Sequence, residues 1–237
     1  VQTVVTEIAD KIYRLSTYVE PADLRFNQYL IDAEQPLLFH TGLLQLFPLV
    51  SDAITKVTPV NRLRWISFGH FEADECGAMN KWLEAAPQSQ VAFGEVGCMV
   101  SVQDQAGRPP RPLADGDVID LGGKRVRYIY TPHVPHGWDA GLLFEETTKT
   151  LLCGDLFTQS GDSVPTTLSD IIGPAFKTEE LYLATVLHSN TAPTIRKLAE
   201  FSPTTLALMH GPAYQGNGKQ ALLDLANGYE KLFKSSL

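Results

Sequence analysis

The sequence predicts an α/β sandwich, read as one domain over residues 1–237. Short apolar runs recur along the whole chain and end at Gly or polar turns. Helical periodicity appears between and after them, and no internal repeat, low-complexity tract or linker interrupts the pattern. With 44% hydrophobic residues, the chain has material for a sizeable core.

The elements follow in order. Val4 to Leu15 alternates as a strand, and Phe26 to Ile31 ("FNQYLI") is a second apolar run. Pro36–Gly42 reads as a buried strand ending at a Gly turn, Leu46 to Val57 as a helix, and Leu63–His70 as the next strand. Cys76 to Ala86 reads as helical, Val91–Glu95 as a strand, and Val96 to Gln103 as a short helix. Residues 113–130 read as strands with a hairpin turn at Gly122-Gly123. Gly141–Glu145 and Thr150–Cys153 pair around a polar turn. Helical periodicity then runs from Thr178 to Phe201, Thr204–Gly211 is the last strand, and Gly218 to Phe233 closes as an amphipathic helix.

Charge narrows the partners. Lys plus Arg number 19 against 27 Asp plus Glu, for a formal net charge of −8. No basic run is present to release counterions from phosphates, so neither nucleic acid nor an anionic membrane is expected. No stretch approaches the roughly 18 apolar residues of a membrane span. Cys76, Cys98 and Cys153 form no CxxC pair and are odd in number, which predicts free thiols and a cytoplasmic setting.

Chemistry concentrates at strand ends. "SFGHFEADECG" places His70, Glu72, Asp74 and Glu75 directly after an apolar strand. If the chain stays extended, alternate residues His70, Glu72 and Asp74 converge on one point. Such a cluster is unfavourable unless a positive charge sits among the carboxylates; a solvated acidic turn is the plain alternative. His133 and His136 follow the strand ending in "YIY", Asp155 follows "TLLCG", and His210 ends "LALMH". A lone histidine of this kind is more often structural. Four strand ends that each deliver His or a carboxylate supply N and O donors for two metal ions sharing one carboxylate.

Taken together, these residues resemble the metallo-β-lactamase superfamily, in its flavodiiron and oxygen-binding diiron branch. That branch carries H-x-E-x-D-H, then a His, a bridging Asp and a final His. Here His70-x-Glu72-x-Asp74, His136 to Asp155, and His210 match, along with "GDVIDLGG" and "HGPAY". The resemblance implies a four-layer αββα sandwich. It also implies one metal on His70, Glu72 and His136, another on Asp74 and His210, and Asp155 as the bridge. A carboxylate at Glu72, where hydrolases of the superfamily usually have histidine, favours iron over zinc, with zinc or manganese as alternatives. Two positions depart from the pattern. Glu75 stands where the family has a second adjacent histidine, and either ligates or faces solvent. His133 lies close to His136 and is the alternative ligand there.

Other residues carry weaker readings. His40 is either a packed strand-end histidine or a residue that orients a ligand. His188 reads as structural and Cys76 as a small buried hydrophobe. Phe71 and Trp138 wall the pocket or pack in the core, and Gly154 and Gly211 permit tight turns beside ligands.

The function implied is that of a non-haem diiron protein that binds dioxygen or NO and either reduces or senses it. Flavodiiron relatives draw electrons from a fused flavodoxin domain. These 237 residues leave no room for one, so a separate electron-donor protein is expected, with a homodimer a mild expectation. The competing reading from another class is a zinc hydrolase whose metal-bound water attacks an ester, thioester or lactam. A third is a degenerate site serving only as a sensor or interaction module.

Overall fold

A computed structural model of the chain describes residues 2–236. It opens with an antiparallel meander of β1 (Thr3–Ala9), β2 (Ile12–Val19) and β3 (Leu24–Ile31). The single strand expected across Val4–Leu15 is therefore two. Asp10 and Lys11 form the turn; Lys11 adopts a φ of 55°, and its N–H donates to Glu7 Oε1 at 2.9 Å. Alternation continues across a tight turn, so periodicity alone reads straight through it.

β3 pairs with β4 (Leu37–Phe39), and three parallel neighbours extend the sheet: β5 (Trp65–Ser67), β6 (Gln90–Gly94) and β7 (Arg111–Leu113). Parallel strands need crossover connections. α1 (Phe47–Thr55) supplies the first, and α2 (Ala73–Cys76) with α3 (Met79–Ala85) the second. α4 (Glu95–Gly97), a π-helical turn at Cys98–Val102 and α5 (Gln103–Gln105) supply the third.

The second sheet begins with β8 (Val118–Asp120), β9 (Arg125–Tyr130), β10 (Gly141–Glu145) and β11 (Thr150–Leu152), antiparallel throughout, with Gly122-Gly123 turning β8 into β9. β12 (Thr166–Thr167), α6 (Ile172–Tyr182), α7 (Thr191–Ala199), β13 (Thr205–Ala207), β14 (Ala213–Tyr214) and α8 (Gly218–Ser235) complete the described chain. The helix expected from Thr178 to Phe201 is broken in two. Leu183 turns left-handed at φ 49° and ends α6, and His188 donates its N–H to Thr191 Oγ1 where α7 begins.

Two seven-stranded sheets result, ordered β1 to β7 and β12-β14-β13-β11-β10-β9-β8. Alternation within the strands sorts side chains into three apolar layers. Leu30 and Leu38 face α1 and α3, where Val50, Ile54 and Trp82 pack; their neighbours Tyr29, Ile31, Leu37 and Phe39 face the other sheet. Leu143 and Leu152 meet them from that sheet, while Leu142 and Leu151 face outward onto Ala175, Ile195 and Leu222 of α6, α7 and α8. Helices, sheet, sheet, helices is the αββα sandwich that the resemblance implied. All three cysteines are free and buried. Among the described residues no helix is long and apolar enough to cross a membrane.

Candidate metal centre

The centre lies where loops of both sheets meet. From the first sheet, Phe68-Gly69 carry the chain past β5 to His70. Glu72 is extended (φ −135°, ψ 155°) and directly precedes α2, so Asp74 and Glu75 fall within a helical turn. The chain does not stay extended to Asp74 as the alternate-residue argument assumed. Acidic side chains favour the first turn of a helix, and α2 starts at Ala73. From the second sheet, His136 sits between β9 and β10, Asp155 follows β11, and His210 follows β13.

His70, Glu72, His136 and Asp155 each offer one donor atom within 4.8 Å of the others. His70 Nε2 lies 2.7 Å from Glu72 Oε2, and His136 Nε2 lies 3.1 Å from the same oxygen. Asp155 Oδ2 is 3.3 Å from His136 Nε2 and 3.8 Å from His70 Nε2. The two imidazole rings stand edge to face at 4.5 Å. On the other side of Asp155, its Oδ1 is 3.3 Å from His210 Nε2, which is itself 3.3 Å from Asp74 Oδ2.

Ring orientation is set from behind. His210 Nδ1 donates to the Arg25 carbonyl at 2.8 Å, leaving Nε2 directed at the carboxylates. The His210 loop is pinned to the first sheet by buried contacts that the sequence reading missed. Asn27 Nδ2 donates to Leu208 O and Gly211 O, Tyr29 OH to Leu208 O, and Arg14 Nη2 to Gly211 O, all between 2.6 and 2.9 Å. The only hint in sequence was the polar pair Asn27-Gln28 inside an apolar run. Asp139 was missed as well; it is buried and accepts the N–H of Phe71 at 3.1 Å, bracing the loop that carries His70 and Glu72.

Glu75 is placed apart from the other six. Fully buried, it accepts the N–H groups of Gly69 and His70 on Oε2 and sets Oε1 3.2 Å from His70 Nδ1 and 3.5 Å from His40 Nε2. His40 is buried too, with Nδ1 3.2 Å from the Asn27 carbonyl. His133 is exposed and takes part in the loop through its N–H to Gly137 O. Phe71 and Trp138 are exposed and do not line the cavity at the centre. Cys76 is buried in the first-sheet core, and burial pushes its thiol up to about 12. Gly154 and Gly211 both take positive φ, at 50° and 133°.

The electrostatics of the bare side chains are those of a cation site. Hydrogen bonds from His136 and then His70 pull Glu72 down to about 2. Burial opposes charge on His70, but Glu75 and then Glu72 outweigh it and push the imidazole up to about 12. Burial likewise opposes charge on His210, which Asp155 and Asp74 raise to about 10. Asp74 Oδ1, Asp155 Oδ1 and Glu75 Oε1 are buried without a hydrogen-bond partner, the last on the far side of His70 from the other two. Carboxylate oxygens left unsatisfied beside imidazole Nε2 atoms fit a hard divalent cation. A cavity of about 180 Å³ opens onto this cluster. Its far wall includes Glu179, Thr185 and Tyr229, where Thr185 Oγ1 donates to Glu179 Oε2 at 2.6 Å and lies 2.9 Å from Tyr229 OH.

Comparison with known proteins gives the family and supports the fold. The family described as "ODP family beta lactamase" matches residues 24–211. Diflavin flavoprotein A 2 of Synechocystis sp. is 25% identical over 201 residues, covering 80% of this chain and 33% of that protein. The solved structure of rubredoxin oxygen:oxidoreductase from Desulfovibrio gigas superposes with a TM-score of 0.82 at 20% identity, covering 96% of this chain and 62% of that one. The flavodiiron core of Flv1 from Synechocystis sp. gives 0.79 at 19% identity, covering 98% and 61%. The chain thus spans about a third of the first relative's length and less than two thirds of either solved structure.

Proposed function

The chain belongs to the ODP family of β-lactamase-fold proteins, and on that premise we propose that it is a non-haem iron protein that binds and reduces dioxygen or NO. The observation that carries the proposal is the shared Glu72 oxygen, 2.7 Å from His70 Nε2 and 3.1 Å from His136 Nε2. A carboxylate between two imidazoles makes an oxygen-rich donor set, which suits iron better than the histidine-rich sets of zinc enzymes.

One iron would be held by His70, Glu72, His136 and Asp155, and a second by Asp74, Asp155 and His210. Iron bound there supplies the redox change needed to bind and reduce a diatomic ligand. The protein's own part is positional. The Arg25 carbonyl keeps the proton of His210 on Nδ1, and Asp155 presents one oxygen to each side of the centre. Pro135, Ala175 and Leu24 give the adjoining cavity an apolar side that limits water. Glu179, Thr185 and Tyr229 form a hydrogen-bonded polar wall of the same cavity.

Electrons would come from outside these residues, through a flavin or rubredoxin-type donor of the kind for which the two relatives are named. The test is anaerobic reconstitution with Fe(II), followed by metal analysis and by oxygen and NO consumption with an artificial electron donor. Iron-dependent consumption supports the proposal. Retention of zinc in preference to iron, with hydrolysis of a chromogenic ester, would replace it with the hydrolase reading.

A further inference from the structure

We propose that the centre consists of two unequal pockets. A divalent cation is held tightly by His70, Glu72, His136 and Asp155, and a second only weakly by Asp74, Asp155 and His210, because Glu75 is committed to orienting His70. The inference rests on the metal reading above and assigns Glu75 a positioning role within it.

Three observations carry it. First, Glu75 sits on the Nδ1 side of His70, with Oε2 hydrogen-bonded and Oε1 buried beside the ring without a hydrogen-bond partner. Oε2 accepts two backbone N–H groups, and Oε1 lies 3.2 Å from Nδ1. The His70 ring therefore stands between Glu75 and Glu72, which faces Nε2 at 2.7 Å. A carboxylate on the far nitrogen of a ligating imidazole fixes its tautomer and raises its basicity.

Second, the surroundings are shaped to hold Glu75 there. A side chain at Gly69 would bring its Cβ to 2.9 Å from Glu75 Oε2 and 3.0 Å from Oε1, so it would push the carboxylate out of its place against this backbone. Adjacent positions in a helical turn point about 100° apart. In α2 that separation sends Asp74 toward His210 and Glu75 toward His70.

Third, the donor count differs between the pockets. Four side chains bring donor atoms within 4.8 Å of one another in the first, a group that contains neither Asp74 nor His210. The second has three, and it shares Asp155 with the first. Three protein donors of which one is shared leave coordination to be completed by solvent, as in open sites rather than closed ones.

The experiment uses the full chain, loaded anaerobically with excess Fe(II) or, separately, Zn(II), then desalted and analysed for metal per chain. About one ion retained, with a second present only when free metal is kept in the buffer, is the expected result. Asp74→Asn should leave the retained ion in place. Glu75→Gln, checked by circular dichroism for an unchanged fold, should weaken its retention by about 10- to 100-fold. Two ions retained with equal affinity overturn the inference whichever the metal. So does a Glu75→Gln variant that keeps the first ion unweakened and loses only the second, because that outcome makes Glu75 a ligand. Retention of one zinc but no iron supports the unequal pockets while overturning the iron reading, and retention of neither overturns both.

Discussion

His70 is flanked at both ring nitrogens by carboxylates from the same short stretch of chain: Glu72 at 2.7 Å from Nε2 and Glu75 at 3.2 Å from Nδ1. The first is half exposed and opens onto the cavity, whereas the second is sealed in the core. Two acidic residues three positions apart thus face opposite sides of one imidazole, and substitutions at the two should separate cleanly.

Glu72→His tests the side that faces the cavity. Replacing an oxygen donor by an imidazole should move the pocket's preference from iron toward zinc by on the order of tenfold. Competition between equal concentrations of Fe(II) and Zn(II), read by elemental analysis, measures it directly. An unchanged preference would contradict the role given to this carboxylate.

Gly137→Ala tests the packing behind the ligands. Gly137 has a φ of +81°, and a Cβ there would stand 2.9 Å from His70 Cβ. The backbone cost is about 1–3 kcal/mol, and the displaced imidazole should also release metal. Gly161→Ala is the control, since Gly161 has a φ of +92° but open space around it. It should lose stability without losing metal, and equal metal loss in both variants would refute the contact argument.

Glu145 offers a pH-dependent stability test far from the metals. Burial works against its charge, but the Thr148 hydroxyl at 2.5 Å and the N–H groups of Thr148 and Thr147 outweigh it and hold the carboxyl below its usual range. A depressed folded value means that the stabilisation is present above the unfolded carboxylate range, about 4.3, and is lost as pH falls through the folded value. Glu145→Gln should cost about 1–2 kcal/mol at neutral pH. Urea melts should show the gap from the native chain narrowing as pH falls below the unfolded carboxylate range, and a constant gap would count against it.

Metal removal should lower the melting temperature. An ion present at a hundred times its dissociation constant contributes about 2.7 kcal/mol, or roughly 5–10 °C for a chain of this size. Chelation followed by calorimetry gives the drop, and readdition of Fe(II) should restore it.

Much of this arrangement was legible in the sequence because it is local. The runs that became β4, β5 and β6 were visible as unbroken apolar stretches, and α8 as an amphipathic one. His70, Glu72, Asp155 and His210 stood out because each follows an apolar strand. What could not be read depends on where the backbone turns or on distant partners. The start of α2 at Ala73 decides which way Glu75 points, and no periodicity is available over a four-residue helix. The anchors Arg14, Asn27 and Tyr29 grip carbonyls at the far end of the chain, so they look like ordinary strand residues until the two sheets are brought together. The break between α6 and α7 lay hidden because both helices bury faces against α8, and a single periodicity spans them.

The donors come from both sheets: His70, Glu72 and Asp74 follow β5, whereas His136, Asp155 and His210 follow strands of the second sheet. An ion bound among them is a cross-link between two halves of the chain, added to their apolar interface and to the hydrogen bonds that Arg14, Asn27 and Tyr29 make across it. Loaded protein should therefore open as a single cooperative unit. Stripped protein should let the two halves exchange amide hydrogens at separate rates.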